Sequence, residues 1–322
     1  MPFKKPARPA LASMIGNPIL LHASLATLEA GQSRSPNVVS LRHKYAMVIR
    51  EIRVSCRMSI TSSSYSPGDL PNCVAAPVIG LSLSLLGQPL MAAPVSVGLL
   101  DKIRDHGIER ETSNDIGYIY STYVWRLSRP LLVPAGAILQ PTFTHFGHLG
   151  KSYTLNISYL GNELHKNFAF PRKLMLPWIS PWTPPVVSLS GTESVYTSNE
   201  KDLGNPHGGP LYVERLMGRL YRTRYQTGYV DFLHFFEAEA TDTNAIWRQS
   251  KVRLSDSLGN RVVRADAYFY NVFDFTSHTI ELAHVLPAGA FYSMTFKCGG
   301  TAVANNTALA TFSLNGWREV SL

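Results

Sequence analysis

The chain has 322 residues, 45% hydrophobic and 16% charged, which is enough apolar material for two ordinary cores and excludes an intrinsically disordered chain. No uncharged apolar run reaches the ~18 residues of a membrane-crossing helix. The formal charge of +8 is uneven: residues 1–100 hold nine Lys/Arg against three acids, so a basic leader is expected to attract phosphate, in nucleic acid or lipid headgroups.

Residues 1–40 are expected to form a basic N-terminal arm with a short helix. Asn17 is a cap, Pro18 a first helical residue, and Leu21, Leu25 and Leu28 fall at i, i+4 and i+7 before a stop at Gly31. Basic residues ahead of an apolar patch resemble a signal peptide. Pro2, Pro6, Pro9 and Pro18 interrupt it, so no cleaved leader is expected. The cysteines, Cys56, Cys73 and Cys298, are odd in number and widely spaced, which is neither a disulfide framework nor a zinc pattern.

From about Tyr45 the period becomes two. YAMVIREIRVSCRMSI places Met47 and Ile49 inward and, after a phase slip, Ile52 and Val54, with arginines outward. GLSLSLLG, GYIYSTYVWRL, AILQPTFTHF and SYTLNISYLG continue the strands, so residues 41–170 read as one antiparallel sandwich. Segments 61–76 and 101–116 are expected as long loops. Residues 171–210, rich in Pro and Gly, are expected as a linker, packed because Trp178 and Trp182 need burial. Residues 211–322 return to strands and read as a second sandwich.

Chemistry is sparse. His145 and His148 could ligate a metal, but no carboxylate stands near them in sequence. Glu237 and Glu239 share a face of an expected strand, as an acid–base pair would, or as a solvent-facing acidic row would. Arg215, Arg219, Arg222 and Arg224 lie among Tyr221 and Tyr225, a pattern that suits nucleic acid or a cross-strand ladder at a subunit interface. The sequence holds no GxSxG, HExxH, P-loop or GxGxxG motif, so no enzyme activity, catalytic residue, metal or cofactor is expected.

One pattern recurs. Leu132–Phe143, LVPAGAILQPTF, and Val285–Phe296, VLPAGAFYSMTF, share six of twelve residues, with Pro134 and Gly136 matched by Pro287 and Gly289. Each is followed by an alternating strand ending in glycine, at Gly161 and Gly316. Proline belongs at a strand's entry and glycine permits a turn, so PAG is a corner used twice.

With these features, the chain resembles double jelly-roll major capsid proteins, the lineage of tailless membrane-containing icosahedral bacteriophages and adenovirus-like capsids. The resemblance implies an all-β protein of two tandem antiparallel jelly rolls behind a helical arm. It also implies a non-enzymatic coat protein assembling as a homotrimer, a pseudo-hexagonal block of the virion shell. The partners it implies are neighbouring capsomers, penton and minor capsid proteins, with assembly in host cytoplasm. Lys4, Lys5 and Arg8 would then face an internal membrane or genome. Two rivals remain: a penton or spike subunit of the same fold, and a two-sandwich glycan-processing enzyme using Glu237, Glu239, Asp256 or Asp266.

Overall fold

A computed structural model describes residues 15–38, 41–61, 78–100, 102–110, 116–146, 152–185, 187–188, 193–226, 229–234, 250–257, 261–273, 278–298 and 307–321. Strands are β1 (Ile15–Leu28), β2 (Ser33–Arg34), β3 (Met47–Thr61), β4 (Ile79–Leu85), β5 (Gln88–Pro89), β6 (Val95–Ser96), β7 (Lys102–Arg110), β8 (Ile116–Val133), β9 (Leu139–His145) and β10 (Tyr153–Leu164). They form one sandwich. Its long sheet runs β1-β10-β3-β8-β7, and its short sheet runs β2-β9-β4, with β5 and β6 both pairing β4. Between the sheets lies a core that includes Ile52, Val54, Leu81, Tyr123, Phe143, Ile157 and Tyr159.

The second sandwich contains β11 (Lys173–Trp182), β12 (Val187–Ser188), β13 (Ser194–Thr197), β14 (Leu211–Gln226), β15 (Tyr229–His234), β16 (Lys251–Asp256), β17 (Arg261–Tyr268), β18 (Thr279–Leu286), β19 (Tyr292–Cys298) and β20 (Thr307–Ser321). A single turn of helix, α1 (Phe269–Val272), follows β17. Here the long sheet runs β11-β20-β14, and β18 and β15 share the far side of β14; the short sheet runs β13-β19-β16-β17. Trp182 stacks on Phe312 at 5.2 Å, and Phe269, Phe273 and Phe296 close around the same ring.

The expected phase slip in β3 is a β-bulge. Its pairing with β8 shifts between Ile49 and Glu51, so Met47 and Ile49 before it, and Ile52 and Val54 after it, all reach the core.

Three expectations are corrected. The segment expected as the arm's helix is strand β1, paired along its length with β10. Its leucines fit two periods at once: Leu21, Ala23 and Leu25 alternate inward while Leu20, His22 and Ser24 face out. The open ladder of β10 decides between the periods, as tertiary pairing overrides a local pattern. The expected linker 171–210 carries β11, β12 and β13, with Trp178 and Trp182 in the second core. Pro177 and Pro181 sit in β11, at an edge of its sheet, where a missing donor is tolerated. Within expected loop 101–116, residues Lys102–Arg110 form β7 on the outer side of β8; their charged composition suits an edge strand. Most of loop 61–76 lies outside the described residues.

Candidate functional site

The repeated corners occupy equivalent places. Gly136 and Gly289 both have φ of +72°, in the left-handed region glycine favours. In each corner the alanine nitrogen after glycine donates to the proline carbonyl, Ala137 to Pro134 and Ala290 to Pro287, both at 3.1 Å. Each corner glycine also donates outward, Gly136 to His43 O at 2.8 Å and Gly289 to Asn205 O at 2.9 Å. The Asn205 amide further donates to the carbonyls of Leu286 and Pro287, at 3.1 and 3.0 Å.

The closing glycines match as well. Gly161 of β10 faces Ile49 beside the bulge in β3, and Gly316 of β20 faces Val213 beside a bulge in β14. A Cβ on Gly161 would come within 1.9 Å of Val48 O, and one on Gly316 within 2.7 Å of Tyr212 O. Neither site admits a side chain.

Strand order completes the equivalence: β1-β10-β3-β8 corresponds to β11-β20-β14-β18, and β2-β9-β4-β6 to β13-β19-β16-β17. The chain is a double jelly roll.

The two jelly rolls meet asymmetrically. The outer face of the second long sheet is covered by the open side of the first sandwich, where β8 and the turn after β6 lie. Met217, Tyr221, Leu309 and Trp317 join the first core from that face, and Leu174 and Leu176 of β11 join the same core. Central strand β20 is therefore buried on both faces from Leu309 to Arg318. Two polar locks close the seam. Ser128 of β8 donates to the Glu214 carboxylate at 2.7 Å and accepts from Trp317 Nε1 at 3.0 Å. Arg318 donates to Pro89 O at 2.9 Å, lies 5.3 Å from the Trp178 ring and meets His207 Nδ1 at 3.3 Å. Backbone bonds join Ile179 to Leu90 and Ala92.

His207 is half-buried beside this guanidinium. Burial first, then the Arg318 charge, pulls its pKa down to about 4.

Residues singled out in the sequence fall in different places. Arg215 and Arg219 stand on the face of β14 that carries Met217 and Tyr221, and Arg219 is 5% exposed. Arg222 and Arg224 continue the β14 backbone, but their side chains lie outside the described residues. His145 is buried with its ring 5.5 Å from Tyr153, a core position. His148, Glu237, Glu239, Lys4, Lys5 and Arg8 lie outside the described residues. Among the described residues no group of three His, Cys, Asp or Glu could hold a metal. Asp266 is paired with Lys297 at 2.5 Å, whose hydrogen bond holds the carboxyl below its usual range. A notch of about 550 Å³ between β8 and β18 carries both signs of charge, from Arg129, Arg215, Glu214 and Glu281. His284, which also lines it, meets Tyr292 Oη at 2.6 Å. Burial, and then the Asp256 charge, push that phenol's pKa upward, away from acid chemistry near neutrality.

No family model and no curated protein sequence matches the chain. Among solved structures, that of the Sputnik virophage by cryo-EM aligns over 100% of this chain and 90% of its own, at 8% identity and TM-score 0.39. The mavirus major capsid protein aligns over 99% and 92%, at 8% identity and TM-score 0.39. The Faustovirus major capsid protein aligns over 100% and 93%, at 5% identity and TM-score 0.38. Strand order, and not these distant likenesses, carries the fold.

Proposed function

We propose that the chain is a structural coat protein that builds a virion shell from homotrimers. One observation carries the reading: two equivalent jelly rolls meet head to tail, and among the described residues each leaves one matching surface unused. The first keeps the outer face of its long sheet, and the second keeps the open side between β18 and β17. A heterologous contact of this kind either closes into a ring or propagates. Repetition of the internal contact between copies would close six jelly rolls from three chains. The unused face on the first sandwich is mostly polar, with Arg53, Ser55, Arg57, Asn156 and Ser158 beside exposed Leu20 and Tyr120, as suits a surface that stays soluble before assembly yet buries apolar area in it.

In this reading the chain divides near the connector after β10, and corners Pro134/Gly136 and Pro287/Gly289 face one end of the shell. Lys4, Lys5 and Arg8 would face the interior. Neighbouring capsomers and the proteins filling the fivefold positions would be its partners. Sedimentation of the purified chain over a concentration series tests the reading. A species of about 107 kDa, three times 35.6 kDa, is expected, growing into shells at high protein. A single 35.6 kDa species at every concentration would contradict it.

A further inference from the structure

The corner end of the first sandwich carries cations without a carboxylate partner among the described residues. The loop before β3 exposes Arg42 and Lys44, and the connector after β10 exposes Lys166 and Arg172. The two segments are tied together: Leu164 N donates to Ala46 O at 2.8 Å, and His43 pairs with Glu163 at 3.1 Å. Phe170 anchors the connector against the first core. The carboxylates beside this surface are already taken, Glu163 by His43 and Glu319 by Lys173 at 2.6 Å. None of the four cations has a carboxylate partner among the described residues. Beside Lys44 stands Tyr45, 38% exposed, with Lys44 Nζ 4.8 Å from its ring centre.

From this we infer that the corner end of the first sandwich binds single-stranded nucleic acid, through phosphate contacts at Arg42, Lys44, Lys166 and Arg172 and a base stacked on Tyr45. Cations beside a partly exposed aromatic ring form the usual platform for unpaired strands. A lipid surface would call for aliphatic side chains to insert. These two segments expose one large apolar group, Tyr45, and no Leu, Ile, Val or Met. The matching loop of the second sandwich is not basic, since Lys201 there stands between Glu200 and Asp202. The surface is thus a property of one jelly roll and not of the fold. It deepens the coat reading by naming a cargo, and the two fail separately, because strand binding and self-association are measured independently.

The experiment is anisotropy of a fluorescent single-stranded oligonucleotide titrated with the full chain from 50 to 300 mM salt. Four phosphate contacts give a slope of log affinity against log salt near −2.8 (about −0.7 per contact). Replacing Arg42, Lys44, Lys166 and Arg172 together by Gln should cost about tenfold or more at low salt and flatten the slope. The milder Lys44→Gln/Lys166→Gln pair, checked for fold by circular dichroism, should halve the slope. Tyr45→Ala should weaken binding about fivefold or more with the slope unchanged. Arg34→Ala, at the opposite end of the sandwich, should change nothing. An unchanged slope in both Gln variants overturns the inference. So does binding to phosphatidylserine vesicles without binding to the oligonucleotide, which would assign the surface to lipid.

Discussion

The outer faces of the two long sheets are the same surface built twice and used differently. Aligning Gly161 with Gly316, and the two bulges with each other, sets Ser158 against Ser313, Asn156 against Thr311, and Asn162 against Trp317. On the neighbouring strand it sets Arg53, Ser55 and Arg57 against Met217, Arg219 and Tyr221. The face in the second sandwich is covered, and Ser313 is 0% exposed; the face in the first is open, and Ser158 is only half-buried. Where the partner is permanent, Met217, Tyr221 and Trp317 stand in the row among buried Ser313, Thr311 and Arg219. Where the face stays open in the single chain, Arg, Asn and Ser remain. One backbone therefore serves a covered face and an open one, told apart by Met217, Tyr221 and Trp317 where the open face has Arg53, Arg57 and Asn162.

The comparison breaks most visibly at its aromatic member. Trp317→Ala should cost about 4 kcal/mol, because the indole fills the seam and its N–H bond to Ser128 is lost with it. Asn162→Ala at the equivalent open position should stay within about 0.5 kcal/mol. Urea denaturation measures both, and equal costs would mean that the two faces are not different. Gly161→Ala should cost about 3 kcal/mol, and more than Gly316→Ala, since its Cβ would press harder on a carbonyl oxygen. Melting temperatures would rank the pair.

A smaller effect depends on pH. With a folded pKa near 4, below the ordinary 6.5, His207 binds fewer protons folded than unfolded between those values. Its contribution is full above pH 6.5 and declines as pH falls towards 4. Partial exposure limits it to about 1 kcal/mol. His207→Gln should flatten that part of the stability profile, and a variant with the same slope as the parent would remove His207 from the seam's account.

Much of the fold was legible because corners and close approaches constrain residue type strongly. PAG at Pro134 and Pro287, and glycine at Gly161 and Gly316, are positions where few other residues fit, so the duplication survives in the letters. Strand β1 was not legible, since Leu21, Leu25 and Leu28 satisfy a helix as well as a bulged strand, and only its partner β10 settles the matter. Strand β11 was hidden by Pro177 and Pro181, which read as linker until the strand is known to lie at an edge. The seam was least legible of all. Ser128, Glu214 and Arg318 are 86 to 229 residues from the groups they bind across it, and their types carry no motif.

The central claim is that the open face of the first jelly roll receives a second copy as the covered face of the second receives its own chain. Light-scattering mass of Ser158→Trp beside the parent tests it most directly, because an indole at the centre of that face blocks docking without touching the core. The account predicts about 107 kDa for the parent and 35.6 kDa for the variant, with matching melting curves for the isolated chain. Equal masses for the two proteins would contradict it.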